Sequence, residues 1–99
     1  MGNNERKETV EIDLHSVQNS EELHDLLKKK LDFPDFYGMN WNAFWDAITG
    51  LVELPEKLIF IGWNDMIKKL SEDAKIMKYY LDKYEEKHNK YIKCIFEYS

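Results

Sequence analysis

Histidine, cysteine and closely spaced acids are the side chains with which a small protein breaks bonds, and this chain uses them sparingly. Its histidines are His15, His24 and His88, and its one cysteine is Cys94. No two histidines stand four apart, the spacing that sets two imidazoles on one helical face around a metal. His24 is offset from the apolar positions Leu23, Leu26 and Leu27 and is expected to point outward; His15 and His88 read as surface or capping residues. Cys94, among Ile92, Ile95 and Phe96, reads as an inert core thiol. The acidic pairs Glu21-Glu22, Glu72-Asp73 and Glu85-Glu86 are adjacent rather than four apart, so their carboxyls do not face each other. Gly38, Gly50 and Gly62 are isolated and form no phosphate loop. With no base–nucleophile or metal set visible, the expectation is a protein that is not an enzyme and holds no cofactor.

Recognition chemistry is better supplied. Between Phe36 and Gly50 five large aromatics, Phe36, Tyr37, Trp41, Phe44 and Trp45, accompany a single carboxylate, Asp46. Trp41, Phe44, Trp45 and Ile48 recur at the i, i+3, i+4, i+7 intervals of a helix. Asn40 is expected to be its N-cap and Gly50 the residue that ends it. If Trp41, Phe44 and Ile48 face the core, then Asn42, Asp46 and Thr49 fall outward and Trp45 sits on the edge. A partly exposed tryptophan beside a carboxylate is the composition of a protein–protein hot spot. A core helix with an ordinary solvated edge has the same pattern, and composition alone leaves both open.

The flanking sequence shows what must hold this segment. Val10, Ile12 and Leu14 alternate with Glu11 and Asp13, the period of a half-buried strand starting near Thr9. Asn19 followed by Glu22 resembles a capping box. Leu23, Leu26, Leu27 and Leu31 follow at helical spacing, with Lys28, Lys29 and Lys30 placed to complement the helix dipole, and Pro34 closes the element. After a connector from Leu51 to Glu56, the run Leu58-Ile59-Phe60-Ile61 predicts a central strand buried on both faces. Asn64 or Asp65 is expected to cap a short helix containing Met66, Ile67 and Leu70. Ser71 is expected to cap a longer one carrying Ala74, Met77, Leu81 and Tyr84, with Tyr79 and Tyr80 mostly in the core. His88-Asn89 breaks it, and Tyr91 to Tyr98 reads as a last strand. The alternation predicts an α/β fold: a small two-layer domain with a three-stranded parallel sheet and about four helices, mainly on one side.

A length of 99 residues with 43% hydrophobic and 33% charged composition suits one soluble domain. A net charge of −5 argues against direct nucleic-acid binding. It suits a basic protein partner steered electrostatically, though solubility alone is the plainer reading. One cysteine excludes an internal disulfide and fits a cytoplasmic setting. Met1 to Lys7 contains no apolar run, so neither a secretory signal nor a membrane span is expected.

The run from Asp35 to Gly50 resembles the signature of the barstar family, intracellular inhibitors of the bacterial ribonuclease barnase. Tyr37-Gly38, Asn40, Ala43, Trp45-Asp46 and Thr49-Gly50 all fall in register. The likeness continues upstream through Val10 to Leu14, Glu22-Leu23-His24 and Leu27 to Leu31. It continues downstream through Val52-Glu53-Leu54-Pro55 and weakens in the last helix and strand.

The resemblance implies a barstar-like domain over residues 8–99 behind a disordered tail of residues 1–7. It implies a cytoplasmic bacterial inhibitor, antitoxin or immunity protein, monomeric when free, whose partner is a basic extracellular-type ribonuclease or ribonuclease-like toxin domain. In such proteins the second helix and the loop before it plug the nuclease active site, with the carboxylate at Asp46 standing in for substrate phosphate. Carboxylate and phosphate both accept charge-assisted bonds from a guanidinium fork. By the same resemblance Phe36 and Trp45 are apolar anchors, with Tyr37, Gly38, Asn40, Asn42, Thr49 and Gly50 completing the partner-binding set. The chain departs from the family at Asn42, which replaces a second acid, and at Phe36, which lacks a hydroxyl. Where the family carries glutamates on the last helix, this chain offers Lys83 and Lys87, or Asp82 and Glu86 after a shift of one residue. A barstar-like module that binds a non-nuclease protein is the alternative.

Overall fold

The structure, a computed structural model, describes residues 6–99. Its elements are β1 (Thr9–Asp13), α1 (Ser20–Lys30), α2 (Trp41–Asp46) continued by a π-helical turn (Ala47–Leu51), β2 (Lys57–Ile61), α3 (Trp63–Lys69), α4 (Ser71–Lys87) and β3 (Ile95–Tyr98). The strands make a parallel sheet in the order β1-β2-β3. This is the expected α/β domain of three parallel strands and four helices.

The register explains the layering. Val10 pairs with Leu58, Ile12 with Phe60, and Leu58 with Phe96, and these side chains share one face. Ile12, Leu58, Phe60 and Phe96 join Leu23, Leu27, Met77 and Leu81 from the helices in one core. On the opposite face Glu11, Ile59 and Glu97 stand in one row, and Lys57 pairs with Glu97 at 3.0 Å. That face is open to solvent in part, with Ile59 and Ile61 half-buried and Ile95 exposed. The expectation that β2 is buried on both faces is therefore corrected: its continuous apolar run faces helices on one side only.

Several boundaries also differ. Arg6 donates to the carbonyls of Leu54 at 2.9 Å and Lys93 at 2.7 Å, and the Lys7 carbonyl accepts from Glu56 N–H. Arg6 and Lys7 of the expected tail are thus hydrogen-bonded to the domain, and the rest of that tail lies outside the described residues. Asn19 caps α1 as expected, accepting from Glu22 N–H at 2.8 Å. The cap of α3 is Gly62, in the left-handed region at φ 79°, rather than Asn64 or Asp65. Ser71 is the first residue of α4, and Leu70 occupies the cap position instead. The last strand is confined to Ile95–Tyr98, because Cys94 N–H is held by Asn89 Oδ1 at 2.8 Å rather than by the sheet. Among the described residues no helix is long and apolar enough to cross a membrane.

Candidate functional site

The site is built from the entry to α2. Asn40 is extended, and its Oδ1 accepts from Ala43 N–H at 2.8 Å, satisfying one of the free donors at the helix start. Its Nδ2 donates to the Gly38 carbonyl at 3.1 Å, closing the loop on itself. A Cβ on Gly38 would meet Asn40 Nδ2 at 3.2 Å and the Ala43 methyl at 3.3 Å, so the tightness of this closure favours glycine. Met39, between them, is left-handed at φ 58°, a conformation costing a non-glycine residue about 1–2 kcal/mol. Phe44 and Ile48 are buried as expected. Trp41 is only half-buried, and its indole N–H donates to Asp73 Oδ1 at 2.9 Å, tying α2 to α4.

The helix does not end at Gly50. Val52 N–H reaches the Ala47 carbonyl, five residues back, at 3.1 Å, while the Thr49 hydroxyl donates to the Trp45 carbonyl at 2.6 Å. Gly50 lies inside this π turn without a left-handed φ, and a Cβ there would meet nothing within 4 Å. In a regular α-helix Leu51 would stand well round from Asp46, five residues earlier; the wider turn brings it back toward the same side.

The result is an open recess of about 260 Å³ lined by Phe36, Tyr37, Gly38, Ala43, Asp46 and Leu51. Phe36 is 75% exposed, and Leu51 and Asp46 are exposed too. Asp46 makes no side-chain hydrogen bond or ion pair among the described residues, so its acceptor sites face outward unspent. Beside the recess Trp45 is half-buried, stacked on Tyr80 of α4 at 5.7 Å and 29°. The Lys83 ammonium lies 4.7 Å from the Trp45 ring centroid. Asn42 is exposed and accepts from the Tyr80 hydroxyl at 3.3 Å. Asp82 instead pairs with Lys78 at 2.8 Å. Of the two pairs weighed on the last helix, Lys83 is therefore the member that touches α2.

Two side chains read as surface or contact residues belong to the interior. Tyr37 is 5% exposed, with only an edge on the recess, and His24 is 1% exposed. The His24 Nδ1 and the Tyr37 hydroxyl are 2.7 Å apart, and the imidazole packs on Trp41 at 4.3 Å between ring centroids. Burial pushes the Tyr37 phenol up, so it keeps its proton. Burial also lowers His24 below the ordinary imidazole value, against an opposing pull from Asp73. A neutral imidazole can then accept a hydrogen bond from the phenol, whose hydroxyl also lies 3.5 Å from the Asn40 carbonyl. The outward reading of His24 fails because its partner arrives from a loop that helical periodicity does not describe.

Phe36, Gly38, Asp46 and the edge of Tyr37 come together at the recess, with Asn40 closing the loop behind them. Trp45 and Asn42 lie on the adjoining flank, while Thr49 and Gly50 serve the turn. Ala43, Leu51 and Tyr80 were not among the expected site residues, and Lys83 was one of two alternatives on the last helix. The exposed apolar Leu51 directly after Gly50 was the available signal for one of them. Tyr79, expected mostly in the core, is 59% exposed. Cys94 is fully buried, which raises its thiol to about 12 and leaves it inert. Among the described residues no group of three or more histidine, cysteine or acidic side chains could hold a metal ion.

A family model described as Barstar (barnase inhibitor) matches residues 7–97. A protein of Bacillus subtilis (strain 168) bearing the name "Putative ribonuclease inhibitor YrdF" is 56% identical over 48 residues. That stretch is 48% of this chain and 53% of that protein, so the likeness spans about half of each.

Proposed function

Since the chain belongs to the barstar family, we propose that it binds a basic ribonuclease or ribonuclease-like toxin domain and blocks its active site. The observation that carries this reading is Asp46, an exposed carboxylate with no side-chain partner among the described residues, on the rim of an apolar recess. A pocket built to hold a phosphate offers guanidinium or imidazolium groups, and a carboxylate accepts the same charge-assisted bonds. A lone carboxylate is expensive to desolvate unless it is met in this way, so a basic pocket is admitted and a neutral one rejected. Phe36 supplies an apolar anchor beside the acid, and Trp45 presents its free edge on the other side. Asn42 keeps the hydrogen-bonding capacity of an acid at that position without its charge. The protein is an inhibitor rather than a catalyst, acting as an immunity protein or antitoxin in the cytoplasm of a bacterial cell.

The test is inhibition itself. Added at one equivalent to barnase or a ribonuclease-like toxin domain, the protein is expected to suppress RNA cleavage. Full cleavage by every such nuclease contradicts the proposal. Retention of a non-nuclease protein through Trp45 would support the second reading, which the uncharged Asn42 and the Lys83 ammonium over Trp45 favour.

A further inference from the structure

The α4 border of the site carries a cation that the inhibitory reading does not use. Lys83 lies over Trp45 at 4.7 Å, with the rings of Tyr80 and Tyr79 at 5.9 and 6.0 Å. Lys83 as a residue is half-buried, and its ammonium rests against this aromatic floor. Lys78 on the same helix is neutralised by Asp82, whereas Lys83 makes no ion pair among the described residues.

A partner that covers Asp46 and extends over the Trp45 ring meets the Lys83 ammonium, which lies 4.7 Å from the centroid of that ring. An ammonium taken from water without a counter-charge is costly, and a basic surface pressed against it adds like-charge repulsion. We propose that Lys83 receives a carboxylate on the rim of the partner ribonuclease. The docking surface is then dipolar, with the Asp46 anion entering the basic pocket and the Lys83 cation meeting an acidic rim. This inference rests on the reading above and specifies its partner: a ribonuclease basic in the pocket and acidic beside it. The opposed charges also fix the orientation of docking and select among ribonucleases that share a pocket.

The experiment measures inhibition constants of the wild type, Asp46→Ala, Lys83→Met and Lys83→Glu. The probes are barnase and ribonucleases of the same kind chosen with and without acidic side chains at the pocket rim. Lys83→Met keeps the apolar stem over Trp45 and removes only the charge. Against acid-rimmed enzymes, Lys83→Glu is expected to weaken inhibition about tenfold or more and Lys83→Met by less. Substituting lysine for the enzyme's rim acid is expected to restore inhibition by Lys83→Glu. Inhibition by Lys83→Glu equal to or tighter than wild type, in enzymes that Asp46→Ala releases, overturns the inference and leaves the inhibitory reading standing. If Asp46→Ala releases none of them, the inhibitory reading falls and the inference falls with it.

Discussion

Asp46 and His24 are both polar side chains on helices, and what lies against each decides its use. Asp46 is exposed, with no side-chain partner among the described residues, while His24 is enclosed by Tyr37 and Trp41. Because burial lowers His24 from its ordinary 6.5, the unfolded chain takes up its proton first as pH falls. The neutral ring's contribution is therefore full above about 6.5 and is lost as pH falls through the lowered folded value. Thermal unfolding followed from pH 7.5 to 5 should show the midpoint dropping below about 6.5. The drop should be shallower in His24→Gln, and parallel profiles for the two proteins would refute this. The exposure of Asp46 was legible from its place on the helix. The burial of His24 was not, since spacing within α1 says nothing about a tyrosine that folds over it from the next loop.

At the scale of elements, helices and strands were legible wherever one face of an element is apolar, as in β1, α1 and α4. They were misread where backbone geometry rather than patterning governs, at the end of α2 and the start of α3. Gly50 and Gly62 make the contrast testable. Gly62 is left-handed, and a Cβ there would lie 2.9 Å from the His15 ring, whereas a Cβ on Gly50 meets open space. Gly62→Ala is expected to destabilise the protein by about 2 kcal/mol or more, the conformational cost and the steric conflict acting together. Gly50→Ala should be neutral or stabilising by up to about 1 kcal/mol, since alanine restricts the unfolded chain. Urea midpoints decide the matter, and the reverse order would mean that the π turn, and with it the placement of Leu51, is misdescribed. That turn was invisible in the sequence because Thr49 and Gly50 suit a regular helix end equally well.

For the whole molecule, sheet and helices form a two-layer scaffold that presents one short helix, its entry loop and the edge of α4. The chain carries a net charge of −5, so long-range attraction to a basic nuclease should speed encounter. The association rate is expected to fall steeply between about 0.01 and 0.15 M ionic strength, with the dissociation rate changing less. A rate independent of salt in stopped-flow mixing would show that charge does not guide docking. The family resemblance was legible in the chain from Asp35 to Gly50, but the sign of charge on the α4 border was not, because it required knowing which residue of α4 touches Trp45. The central claim remains that one exposed carboxylate occupies the place of a phosphate. It is tested most directly by titrating wild type and Asp46→Ala separately into an active ribonuclease that the wild type inhibits, while following RNA cleavage. Loss of one half of a desolvated charge pair should weaken inhibition by about 2 kcal/mol or more, roughly thirtyfold. Equal inhibition by the two proteins would contradict the account.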